Sequence, residues 1–151
     1  MGYHGSMEST ALVFALLAAL AASEDAARPR SVHLDDSFSL HAGESAKVDS
    51  EKLEIRFEGV VSDSRCPKGA QCIVEGDATV RITVKKASAK TSYELHTSER
   101  SGQEASFDGL TIRLLRLDPY PVEGKAIDGR DYEATLLVTR GSSNPAAHRR
   151  P

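Results

Sequence analysis

Alternation with a period of two constrains this chain more than any other feature. Leu53, Ile55 and Phe57 alternate with Glu54, Arg56 and Glu58. Ala78, Val80, Ile82 and Val84 alternate with Thr79, Arg81, Thr83 and Lys85, and Tyr132, Ala134, Leu136 and Val138 face away from Glu133, Thr135, Leu137 and Thr139. Successive side chains of an extended chain point to opposite faces, so each run makes a half-buried strand with one wet face. Weaker strand candidates lie at 38–41, 44–48, 91–97, 104–107 and 110–117. Turn signals separate them, Ala42-Gly43 between the first two and Asp108-Gly109 between the last two; Asp-Gly between strand-like runs predicts a two-residue hairpin. No segment after residue 30 carries a helical stripe. Seven or eight short strands in about 110 residues predict an all-β, antiparallel immunoglobulin-like β-sandwich, with a small β-barrel as the alternative. The Cys…Trp…Cys pattern of antibody domains is absent, so only the architecture is implied.

A chain of 151 residues has room for one such domain. Aromatic residues make up 5% and Trp is missing, so the core must be built from Val, Ile, Leu and Ala with few rings. With 22 acidic and 19 basic residues, the net charge of −3 argues against nucleic acid as a partner. The Lys and Arg residues are spread along the chain and give no membrane-surface signal.

Residues 10–22 (TALVFALLAALAA) carry no charge. The run is too short for a membrane span, which takes about 20 apolar residues, and suits the apolar region of a secretory signal peptide. Small residues follow, so cleavage is expected after Ala21 or Ser23 and no stable membrane insertion is expected afterwards. The positive start usual for such a signal is missing, since the first nine residues contain Glu8 and no Lys or Arg; Met7 is an alternative initiator, and a buried helix of a cytosolic domain is the competing reading. The expected layout is a signal peptide at 1–23, a linker at 24–31, the β-sandwich at 32–140 and a disordered tail at 141–151. No Cys precedes Cys66, which excludes a lipid anchor on a cysteine just after the signal.

Export implies an oxidising compartment, the periplasm or the exterior, where two cysteines usually pair. Cys66 and Cys72 enclose Pro67-Lys68-Gly69-Ala70-Gln71, and the turn formers Pro67 and Gly69 let the segment double back. A bridge over so small a loop contributes roughly 2 kcal/mol and mainly fixes its own loop. Zinc is the alternative, but the spacing fits no common finger and no His pair accompanies it.

The run Asp63-Ser64-Arg65-Cys66-Pro67, then Cys72, then Glu75-Gly76-Asp77-Ala78, resembles the "DSRCP…C…G-[ED]-A" segment of a group of uncharacterised exported bacterial proteins. Similarity extends loosely across the mature domain, from FSLHAGESAKV through LEIRFEGVVSDSRCP to the terminal YEATLLV. Members often have an aromatic residue shortly after the second cysteine, where this chain has Ile73 and Val74. The resemblance implies export, a disulfide and a β fold, and carries no activity.

Two constellations are candidate binding surfaces. Asp63, Ser64 and Arg65, with Pro67 behind them, stand at the end of a long strand. Arg65 can offer its planar fork to a carboxylate of a partner, or pair at home with Asp63 or Glu75 while Asp63 serves the backbone of the turn. In Asp118-Pro119-Tyr120-Pro121-Val122-Glu123-Gly124, prolines stiffen the chain around Tyr120, as binding loops do to limit ordering costs. The competing role for Tyr120 is to cover one end of the core with its hydroxyl wet. Asp118, Glu123, Asp128 and Asp131 do not match a calcium loop, so no metal and no cofactor is expected. His33, His41 and His96 sit isolated among polar neighbours, and no G-x-S-x-G, H-E-x-x-H or glycine-rich phosphate motif occurs; no catalytic residue is expected. These features predict a non-enzymatic binding module of the bacterial cell envelope, its partner an unknown protein or envelope ligand. The alternatives are a protease inhibitor presenting the Cys66–Cys72 loop, and an unrecognised hydrolase or metal enzyme.

Overall fold

The computed structural model describes residues 28–141 together with Met1. The rest of the expected signal peptide, most of the linker and the tail beyond Gly141 lie outside the described residues. Among the described residues nine strands form: β1 Arg30–Val32, β2 Ser37–His41, β3 Ser45–Val48, β4 Leu53–Asp63, β5 Ala78–Lys86, β6 Ala89–His96, β7 Glu104–Phe107, β8 Leu110–Asp118 and β9 Glu133–Arg140. They build a five-stranded sheet in the order β1-β3-β4-β5-β6 and a four-stranded sheet in the order β2-β9-β8-β7. The two sheets stay open and face each other as a β-sandwich, not a barrel. The strand count exceeds the expected seven or eight because Arg30 and Ser31, assigned to the linker by sequence, belong to β1. That strand is held by main-chain pairing, parallel to β3, and two of its three side chains are exposed, so it leaves no alternation to read. All other ladders are antiparallel.

The alternating apolar residues meet between the sheets. Leu53, Ile55, Phe57, Val80, Ile82 and Val84 of one sheet are fully buried, as are Ile112, Ala134, Leu136 and Val138 of the other. Each large side chain buried this way contributes roughly 1.5–3 kcal/mol. Asp108-Gly109 closes the β7–β8 hairpin, with φ of +49° and +74° at the two residues, the left-handed geometry a two-residue turn needs to match strand twist. The Ala42-Gly43 turn instead carries the chain from one sheet to the other, since β2 pairs with β9 and β3 with β4.

One end of the sandwich departs from regular alternation. β4 runs to Asp63 although β3 pairs with it only as far as Arg56, and β8 runs to Asp118 although β7 begins at Glu104 opposite Arg113. Both overrunning strands carry bulges: β4 slips between Phe57 and Gly59 and again between Val60 and Ser62, and β8 slips between Leu114 and Arg116. Each bulge reverses the inside–outside phase. In β4 the first turns Val60 toward the core and Val61 outward, and the second restores the original phase, putting Asp63 on the inner side.

Candidate functional site

The end reached by β4 and β8 is built around Asp63. Arg65 is buried, 7% exposed, and its guanidinium lies flat against the Asp63 carboxylate, Nε to Oδ1 at 2.9 Å and Nη2 to Oδ2 at 2.6 Å. The same fork donates to two main-chain carbonyls, Nη1 to Leu117 O of β8 at 2.7 Å and Nη2 to Pro119 O just beyond that strand at 3.0 Å. Tyr132, at the start of β9, donates its hydroxyl to Asp63 Oδ2 at 3.0 Å. Burial pushes the Asp63 carboxyl up, but the Arg65 and Tyr132 hydrogen bonds outweigh it and hold the group below its ordinary value. Burial first, then the hydrogen bond to Asp63 and the charge of that group, push the Tyr132 hydroxyl up. Arg65 thus ties the end of β4 to the end of β8 and covers the β8 edge beyond the reach of β7. It is not an exposed fork waiting for a partner's carboxylate, because both faces of the fork are used within the molecule.

Two loops grow from this base. Ser64 and Asp77 close the first: Ser64 N–H donates to Asp77 O at 2.8 Å, and Asp77 N–H donates to Ser64 Oγ at 3.2 Å. Gly76 packs against the Ser64–Arg65 main chain so tightly that a Cβ would overlap Ser64 O, so this position requires glycine. Within the loop, Cys66 and Cys72 form a disulfide with their Cα atoms 6.0 Å apart. The Cys66-to-Cys72 segment is bound to the second loop by a short parallel bridge between Lys68 and Val122: Lys68 N–H donates to Pro121 O at 2.9 Å and Glu123 N–H to Lys68 O at 3.0 Å. Pro67 is half-buried and accepts the Ala70 N–H. The Tyr120 ring, 40% exposed, lies under two cations, the Arg65 guanidinium at 5.0 Å and the Lys68 ammonium at 5.6 Å from its centre. Arrangements of this kind contribute roughly 0.5–1 kcal/mol at exposed sites.

All the sequence-selected residues therefore gather at one end: Asp63, Ser64 and Arg65 as its foundation, Pro67 and Pro121 on either side of the bridge, Tyr120 at the surface. What the sequence did not single out is the outermost layer. Ile73 is 103% and Val74 75% exposed, on the span between Cys72 and Gly76. Val61, Leu115 and Val122 are the other apolar side chains exposed at this end. A concavity of about 630 Å³ takes in Leu115 and Tyr120, floored by Leu114–Leu117 of β8 and walled by Glu75-Gly76 and the β6–β7 loop.

A second cluster surrounds Asp77. His96 Nδ1 lies 2.6 Å from Asp77 Oδ2, and Asp77 Oδ1 accepts from Thr97 Oγ at 3.0 Å and Ser98 N–H at 2.9 Å. Burial acts to raise the Asp77 carboxyl, and these bonds overcome it and lower it. His96 is half-buried at this post and not isolated, while His41 is exposed and faces Glu133 at 3.2 Å. Among the described residues no three His, Cys, Asp or Glu side chains stand close enough to hold a metal. Asp118 pairs with Arg116 at 2.6 Å, and Asp128 caps the short turn Gly129–Asp131 by accepting the Arg130 N–H.

Comparison with protein-family models, with curated proteins and with solved structures found no match to this chain.

Proposed function

We propose that the protein is an exported, non-enzymatic binding module of the bacterial cell envelope, and that the joined loops at 63–76 and 118–130 form its contact surface. One observation carries the reading: the large apolar side chains exposed between residues 28 and 141 are Val61, Ile73, Val74, Leu115, Tyr120 and Val122, and all belong to this end of the sandwich. Scattered over the molecule they would need no explanation; concentrated at one end of the sandwich they mark a place where another molecule excludes water. The surface is also rigid, through the disulfide, the Lys68–Val122 bridge and the close packing of Gly76. Rigid loops bind with less loss of conformational freedom. The inhibitor alternative calls for a standing, extended 63–72 loop, whereas Arg65 is buried and Lys68 is bridged to Val122. The disulfide suits an oxidising compartment, and among the described residues no helix is long and apolar enough to cross a membrane. Chemical cross-linking through Lys68 in an extract of the native envelope, followed by mass spectrometry, tests the reading. The wild-type chain is expected to yield a defined partner that the Ile73→Asp, Val74→Asp double variant does not. Equal yields from both would move the contact surface elsewhere.

A further inference from the structure

β6 is one edge of the five-stranded sheet. It joins β5 through the two-residue turn Ala87-Ser88, with Lys86 opposite Ala89. Pairs then alternate along the ladder between hydrogen-bonded and non-hydrogen-bonded, starting from the bonded closing pair. Lys90, Ser92, Glu94 and His96, opposite Lys85, Thr83, Arg81 and Thr79, therefore turn their N–H and C=O groups away from β5. His96 follows this pattern, donating its N–H to Gly102 O at 2.9 Å outside the sheet. Among the described residues no group meets the main chain of Lys90, Ser92 or Glu94 on that side, and all three residues are exposed. Edges are usually blunted by proline, bulges, a covering element or charged side chains, lysine above all, and β6 carries Lys90 with Glu94 of the opposite sign. β6 has neither proline nor bulge.

This edge carries its own complement. In an antiparallel pairing with the two-fold axis at Ser92, the outward-turned residues of the two copies meet, as hydrogen-bonded pairs require. Lys90 then faces the second copy's Glu94 and Glu94 faces the second copy's Lys90. Sliding by two residues in either direction keeps the hydrogen bonds but loses both charge pairs. The register also relieves a conflict within the monomer. Lys85 and Lys90 stand directly opposite one another, and like charges so placed are destabilising. A carboxylate from a second copy on the other flank of Lys90 offsets that repulsion. Glu94 engages Arg81 through Oε1, at 2.8 Å, so its other oxygen remains available.

We propose that two copies of this chain pair antiparallel through β6, about Ser92, joining their five-stranded sheets into one. The contact is separate from the loop surface at the end of the sandwich. Sedimentation equilibrium of the full chain tests it, from micromolar to millimolar concentration, and the expected result is a concentration-dependent dimer. Lys90→Glu or Glu94→Lys alone should weaken it by about tenfold or more, since each reverses two symmetric charge pairs. The double variant carrying both should restore it, because the charges face again in exchanged positions. Ser92→Pro should abolish it, while hydrogen exchange at residues 90, 92 and 94 should be slow in the wild-type dimer and fast in Lys90→Glu. A monomer at every concentration with fast exchange at these amides would overturn the proposal and leave the edge to a foreign strand. A dimer indifferent to all the variants would overturn it too, by placing the contact on another face.

Discussion

At residue scale the decisive group is Arg65. Its side chain and that of Asp63 are 6% and 9% exposed, so the pair is an interior one despite its place at the end of the sandwich. Removing one member of a buried pair leaves the other charge without compensation. Arg65→Ala is therefore expected to destabilise the fold by about 3–5 kcal/mol in chemical denaturation, and Arg65→Lys to recover only part of that, because an ammonium cannot reproduce the two-pronged contact. The acid side of the stability profile follows from the same pair. The Asp63 carboxyl is held below its unfolded value, so the ionised form favours folding above that value, and the contribution is lost as pH falls through the lowered folded value. Melting temperature measured from pH 6 down to pH 2 should fall steeply at the acid end, and less steeply in Asp63→Asn. Asp77, lowered by its bonds to His96, Ser98 and Thr97, adds to the same slope. The sequence offered both roles for Arg65, outward fork or local pair. Nothing in the run Asp63-Ser64-Arg65 distinguishes them, since the choice rests on the Leu117 and Pro119 carbonyls more than fifty positions away.

At the scale of elements, the disulfide loop is a local device. Its cysteines are six residues apart, and the loop is also closed at its base by Ser64 and Asp77. Cys66→Ala combined with Cys72→Ala should fold, with a loss of about 2 kcal/mol or less by denaturant titration. Hydrogen exchange should speed up across 66–75 and stay unchanged in β4 and β5; an equal rise in the sheets would show that the bridge supports the whole fold. The strands were legible to the extent that they keep phase. Leu53, Ile55 and Phe57 alternate and are buried, but extending the same phase beyond Phe57 would bury Val61, which the first bulge of β4 turns outward, 49% exposed. A bulge adds one residue to one strand, and its position depends on how the partner strand and the facing sheet must fit, which a single strand's sequence does not contain.

For the whole molecule, the apolar surface is split between a core that folds the protein and an outer layer that the fold does not use. Ile73 and Val74 belong to that layer, so replacing both with Asp should leave the melting temperature nearly unchanged while raising solubility, measured by precipitation with ammonium sulfate. A fall in melting temperature as large as that of Arg65→Ala would mean that the two side chains pack in solution. By itself, the sequence determined the all-β class and the aliphatic core, and it favoured the two-layer architecture over a barrel and the pairing of Cys66 with Cys72 over a metal. Each of these rests on local order: alternation with a period of two, turn residues at fixed places, and two cysteines separated by a short turn. Tertiary structure alone decided that β1 exists, that Arg65 faces inward, that the 63–76 and 118–130 loops join through Lys68 and Val122, and that Asp77 meets His96. These depend on which segments the two sheets bring side by side. That follows from the packing of all nine strands at once, so no single stretch of the chain encodes it.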